Sequence, residues 1–394
     1  GEIKMNNSSA GRPVLELRSI SKSFPGVKAL DRVDFDVYPG EVHGVVGENG
    51  AGKSTLMNVL GGVTHPDSGE ILVDGKAVIM SNPGVAQQLG ISFVHQELSV
   101  FPNLDVASNI FIRNLPHRAG GLISQADLHR EARKALDEVG LSQHHPGKLV
   151  SHLRPGERQL VEIARCLVQR MRVLILDEPT SSLTEAEIGR LFGLITKLKA
   201  RGVSIIFISH RLDEVFGICD RVTVMRDGRK VATKAIKDVD RTELVRLMTG
   251  RSIAETRQNA VAHSDKVLLT VRNLSRRPTL NNISFDLHAG EILGVFGTMG
   301  SGRTELLRAL FGCDPIEQGT VRVNGEAVRI RSPQDAIACR IGFVTEDRRH
   351  DGLVLDHSVK SNIVLSSLAT LARALGLVDA KVEQLTSTKW VSRL

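Results

Sequence analysis

The run Gly47-Glu48-Asn49-Gly50-Ala51-Gly52-Lys53-Ser54-Thr55 matches the G-x-x-x-x-G-K-[ST] phosphate loop. Its glycines let backbone N–H groups curl around phosphate oxygens, and a helix start behind them adds partial positive charge. Lys53 reaches the outer phosphates and Ser54 offers a hydroxyl to Mg²⁺. A second chemical signal is Asp177-Glu178 at the tip of an apolar run. We assign Asp177 to the metal and Glu178 to the attacking water. A third is His210 at the end of another apolar run, where a histidine can hydrogen-bond a terminal phosphate, although a histidine there is by itself more often a satisfied structural one.

These groups converge only if strands deliver them to one edge. Val42 to Val46 reads as a short buried strand feeding a helix over Lys53 to Leu60; Arg172 to Leu176 and Ser204 to Ile208 read as further buried strands. Leu15 to Ile20 and Val33 to Val37 read as strands, and Ile71 to Val78 reads as a hairpin, because Asp74-Gly75 suits a type I′ turn. The pattern then repeats. Lys28 to Gln96 aligns without gaps on Pro278 to Glu346 at an offset of 250, and Asn109-Ile110 falls on Asn362-Ile363 at 253. A period this long means a duplicated domain and not a solenoid. Domains are expected at 13–250 and 266–394, with 1–12 a flexible N-terminus and 251–265 a linker; Met5 reads as the natural start.

Composition narrows the classes. The chain has 394 residues, 41% hydrophobic and 24% charged, which is enough for two cores and excludes a disordered protein. No apolar run approaches the roughly 20 residues that span a bilayer, so no membrane crossing is expected. Cys166, Cys219, Cys313 and Cys339 lack metal-site spacing and read as reduced core thiols. The net charge of +7 permits an anionic partner, but the basic residues are dispersed.

Together these residues resemble the nucleotide-binding subunits of ATP-binding-cassette (ABC) transporters. The likeness rests on the loop at Gly47 to Thr55, a Q-loop at Phe93-Val94-His95-Gln96-Glu97, Val173 to Glu178, a D-loop at Ser181 to Thr184 and a switch histidine at His210. Lys22 to Leu30, Met248-Thr249-Gly250-Arg251 and Thr345-Glu346-Asp347-Arg348-Arg349 narrow it to tandem ATPase subunits of bacterial monosaccharide importers. The resemblance implies a P-loop α/β fold, duplicated: a mixed sheet core, an N-terminal antiparallel β-subdomain, and a helical subdomain at about 98–165. It implies that ATP and Mg²⁺ are bound, Phe24 stacking on adenine and Gln96 joining Ser54 and Asp177 at the metal, with Lys53, Gln96, Glu178 and His210 acting in hydrolysis. It also implies a polytopic membrane permease as partner, a periplasmic or lipid-anchored sugar-binding protein acting indirectly, no nucleic acid, and a place on the cytoplasmic face of the membrane.

Three departures qualify that picture. The signature Leu-Ser-Gly-Gly-Gln is matched by Leu153-Arg154-Pro155-Gly156-Glu157, where Pro155 lacks an N–H and Glu157 brings negative charge to an anion site. The second loop, Gly297 to Thr304, carries Arg303 for lysine, and Glu346 stands at the Q-loop position. A second signature at the 253 offset falls at position 407, beyond Leu394. The expectation is one hydrolytic site, with slow turnover by this chain alone. The alternatives are a nucleoside importer's ATPase, a soluble ribosome-associated tandem ABC protein, and an inactive nucleotide-sensing fragment.

Overall fold

The structure is a computed structural model and describes residues 11–95, 99–112, 115, 124–169, 171–181, 183–250, 264–298, 300–346, 351–372 and 378–393. It divides into two units, Gly1–Arg257 and Gln258–Leu394.

In the first unit, β1 (Leu15–Phe24), β2 (Val27–Val37), β3 (Val42–Val46), α1 (Lys53–Leu60), β4 (Ser68–Val73), β5 (Lys76–Val78), α2 (Pro83–Gln88) and β6 (Ile91–Val94) come first. The helices α3 (Val106–Phe111), α4 (Gln125–Glu138) and α5 (Pro155–Leu167) follow. The chain then alternates through β7 (Val173–Asp177), α6 (Glu185–Ala200), β8 (Ser204–Ile208) and α7 (Leu212–Ile218), and closes with β9 (Arg221–Arg226), β10 (Arg229–Ala235) and α8 (Arg241–Thr249).

Two sheets organise these elements. An antiparallel sheet runs β2-β1-β4-β5, and Asp74 and Gly75 turn its hairpin with φ of 51° and 68°. The second sheet runs β10-β9-β3-β8-β7-β6, parallel except for β10. Its central strands are buried on both faces, so they read as mostly apolar runs, His43 in β3 being buried against Thr223 at 2.8 Å. In β7, Val173 and Ile175 pack toward the antiparallel sheet and α1, whereas Leu174 and Leu176 pack toward the helices. Burying each such side chain contributes about 1.5–3 kcal/mol. That outweighs the cost of holding Asp177, 7% exposed, at the strand tip. β1 and β2 extend further than their apolar cores suggested, because hairpin pairing continues to Phe24 and Val27.

The second unit repeats the antiparallel sheet as β11 (Val267–Arg276), β12 (Leu280–His288), β13 (Gln318–Val323) and β14 (Glu326–Val328), in the order β12-β11-β13-β14. Between them lies α9 (Arg303–Leu310); α10 (Pro333–Ala338), α11 (Val359–Leu365), α12 (Leu368–Leu371) and α13 (Ala380–Val391) follow. The repeat reaches side-chain detail. Asn109 accepts from Phe101 N at 2.7 Å and donates to the carbonyls of Phe101, Leu104 and Asp105. Asn362 accepts from Val354 N at 2.9 Å and donates to the carbonyls of Val354, His357 and Ser358. Each partner is displaced by the same 253 positions as the asparagines.

The copies differ where a central sheet would be. β3 lies between β8 and β9, but its counterpart at 292–296 forms no strand, and Ile292 and Phe296 are 98% and 99% exposed. The thiol expectation holds only in part. Cys166 and Cys219 are buried, whereas Cys313, in the turn after α9, is exposed and Cys339 is half-buried. No helix among the described residues is long and apolar enough to cross a membrane.

Candidate functional site

The parallel order β3-β8-β7 sets three strand ends side by side, and the phosphate loop, His210 and the Asp177-Glu178 pair leave from those ends. In open α/β sheets that carboxyl edge is where ligands bind.

Gly50 and Gly52 have φ of 84° and 97°, a left-handed conformation that glycine adopts without strain. A Cβ on Gly52 would lie 2.6 Å from the Ala29 carbonyl oxygen, so the β2 backbone leaves room only for hydrogen. No side chain caps α1 at Gly52, and its first N–H groups stay available to an anion. Lys53 folds back and donates to the carbonyl oxygens of Gly47 at 2.8 Å and Glu48 at 3.0 Å. Burial holds its ammonium below the ordinary lysine range, opposed by the charges of Glu178 and Asp177.

Asp177 is pushed up to about 6 by burial first and by Glu178 second, with Lys53 opposing. Glu178 sits at φ 48°, in the left-handed region for a non-glycine residue, and its N–H donates to the Ile208 carbonyl at 3.0 Å. That turn brings Glu178 Oε1 to 3.2 Å from His210 Nδ1. The structure thus gathers Lys53, Asp177, Glu178 and His210 at one edge. Ser54 is exposed at the start of α1, as are Glu48, Asn49 and Gly50; Ala51 is buried and Thr55 half-buried. Phe24, 45% exposed at the end of β1, carries Lys22 Nζ 5.7 Å from its ring centre. Gln96 lies outside the described residues.

Motif reading passed over Thr180, Ser209 and Glu214, three buried polar residues on the segments carrying Glu178 and His210. The only sequence signal was a carboxylate four positions after the histidine, at the start of a helix.

In the second loop Gly300 and Gly302 repeat the left-handed conformation of Gly50 and Gly52, with φ of 79° and 90°. Its side chains differ. Arg303 is exposed where Lys53 is buried, and Thr304 Oγ1 donates to Glu346 Oε2 at 3.4 Å.

A phosphate loop on a parallel sheet, with two carboxylates and a histidine at neighbouring strand ends, defines a P-loop nucleotide-binding ATPase. A family model described as ABC transporter matches residues 30–181 and 280–392. The chain belongs to the ABC transporter family, as an ATP-binding, ATP-hydrolysing subunit. It is 50% identical over 365 residues to ribose import ATP-binding protein RbsA 3 of Rubrobacter xylanophilus, covering 93% of this chain and 73% of that protein. It is 44% identical over 370 residues to ribose import ATP-binding protein RbsA of Bacillus licheniformis, covering 94% and 75%. Among solved structures it is similar to the ADP conformation of MJ1267, an ATP-binding cassette of an ABC transporter. That match has a TM-score of 0.54 and 27% identity over 61% of this chain and 100% of that one. It also resembles cbiO1 of Clostridium perfringens, part of an ABC transporter complex, with a TM-score of 0.51 and 28% identity over 60% and 93%.

Proposed function

We propose that this chain couples ATP hydrolysis to uptake of a monosaccharide of the ribose class, docked on the cytoplasmic face of a polytopic membrane permease that a separate binding protein supplies with solute. The names of the two ribose import relatives, at 50% and 44% identity, support the substrate class. The observation that carries the hydrolytic reading is the 3.2 Å approach of Glu178 to His210 beside the phosphate loop.

In this reading residues 13–250 are a complete cassette and 266–394 belong to a second, joined by 251–265. Phe24 holds the base, and the loop from Gly47 to Thr55 wraps the phosphates. Lys53 exchanges its bonds to the Gly47 and Glu48 carbonyls for phosphate oxygens. Glu178 orients the water and takes up its proton, while His210 donates a hydrogen bond to the terminal phosphate. The Ser54 hydroxyl and Asp177 carboxylate are hard oxygen donors, the chemistry Mg²⁺ requires, and Gln96 joins them by sequence. Mg²⁺ bound there neutralises charge on the phosphates. The raised Asp177 carboxyl fits the role, since a nearby cation would favour its ionised form. The second loop, with Arg303 and Glu346, holds nucleotide without rapid turnover.

The test is phosphate release by the permease-bound protein. Glu178→Gln should lower it by about 10²-fold or more; unchanged release would remove the hydrolytic assignment. Calorimetry of the cognate binding protein with ribose, galactose and nucleosides tests the solute, and tight nucleoside binding would replace the sugar reading.

A further inference from the structure

A buried carboxylate joins the two segments that carry Glu178 and His210. Glu214 is the third residue of α7 and 4% exposed, and its Oε2 accepts from Thr180 Oγ1 at 2.9 Å and from Ser209 Oγ at 2.7 Å. Arg211 Nη1 lies 2.8 Å from its other oxygen, Oε1. Thr180 and Ser209 are 3% and 2% exposed, so neither hydroxyl has water as a ready alternative. Thr180 follows Glu178 by two residues and Ser209 directly precedes His210. The same hydroxyl of Ser209 accepts from Arg211 N at 3.0 Å, closing the turn around His210.

Buried polar groups keep such bonds because no other partner is at hand. The effect is to fix the exits of β7 and β8 relative to each other at a point beyond their last ladder pair, Asp177 with Ile208. Glu178 also holds a left-handed backbone that costs free energy and persists only where its surroundings enforce it.

We infer that Glu214 is a positioning residue for hydrolysis. Through Thr180 and Ser209 it sets the separation of the Glu178 carboxylate and the His210 ring, without itself reaching the nucleotide. The inference rests on the roles given above to Glu178 and His210, and it adds a part that neither the loop motif nor the strand-end carboxylates reveal.

The experiment measures phosphate release by the full chain over a range of ATP concentrations in multiple turnover, followed over hours to give kcat and ATP KM, with Glu178→Gln as control. Glu214→Ala should lower kcat by about 10²-fold, the scale of a misplacement near one ångström. ATP KM should stay within about threefold, because the phosphate loop is untouched. Glu214→Gln keeps a carbonyl oxygen able to accept from both hydroxyls and should recover most of kcat. If Glu214→Ala does not fold, the pair Thr180→Val and Ser209→Ala removes the same bonds and should show the same split. Wild-type kcat in these variants overturns the inference, and so does a loss of kcat matched by equal losses of ATP affinity and thermal stability. If Glu178→Gln itself leaves release unchanged, it is the hydrolytic reading that fails.

Discussion

His144 Nε2 lies 3.0 Å from Glu157 Oε1, with both side chains largely buried. The other oxygen of Glu157 accepts from Arg154 N at 2.9 Å, capping α5 at its first turn. Lys148 Nζ stands 3.3 Å from the far nitrogen of the same imidazole. The sequence presented Glu157 as an added negative charge beside an anion site; the structure folds that carboxylate back onto its own helix and against two basic side chains. Gly156 then faces Glu187, where a Cβ would lie 2.7 Å from Oε2, while Arg154 stays exposed.

The Glu157 carboxyl lies below its ordinary value of 4.5. Burial alone would raise it, but the Arg154 N–H, His144 and Lys148 together outweigh burial. A lowered acid stabilises the fold above its unfolded value and loses that contribution as pH falls through the folded value. Glu157→Gln can still cap Arg154, so it should cost about 1 kcal/mol at pH 7 and progressively less as the pH falls below 4.5. Urea unfolding from pH 7 down through the acid range checks this, and a cost that does not change with pH would contradict it.

Asp177 is the opposite case, an acid raised to about 6. The fold binds its proton more tightly than the unfolded chain does, so stability from this group is full below the unfolded value near 3.8 and declines as pH rises toward 6. Asp177→Asn should therefore raise stability at pH 7 by about 1–3 kcal/mol while weakening Mg²⁺-dependent nucleotide binding. In the unmodified protein that binding should fall about tenfold per pH unit below about pH 6, as the cation must displace a proton. Titration of Mg²⁺ at fixed nucleotide from pH 5 to 8 gives the curve.

The paired asparagines offer an internal comparison. Asn109 is fully buried, so Asn109→Ala strands the Phe101 N–H and carbonyls of three residues and should cost about 3 kcal/mol. Asn362 makes the same bonds half-exposed, where water can replace them, and Asn362→Ala should cost about 1 kcal/mol. Hydrogen exchange over 101–111 and 354–365 reports each unit by itself.

Gly52→Ala sets a methyl group against the Ala29 carbonyl at a positive φ. It should destabilise the first unit by about 2 kcal/mol or more and open the phosphate loop. Calorimetric ATP affinity should drop together with thermal stability, unlike in Lys53→Ala, where affinity alone should fall.

The sequence by itself determined the chemistry and the repeat. The spacing of Gly47, Gly52, Lys53 and Ser54 is local, because a loop of defined φ values must feed a helix start within a few residues. β3, α1 and β8 were readable to their ends for the same reason, since each is a short apolar or periodic run with sharp boundaries. The duplication was readable because matching side chains recur at a fixed offset. Only the tertiary structure decided which strand ends lie side by side, and hence that Glu178 meets His210, 32 positions further along the chain. It alone turned Glu157 toward His144 and brought Thr180 and Ser209 to Glu214. Those relationships depend on the order of strands in the sheet and on which buried polar groups find partners. They are long-range outcomes that no local spacing records.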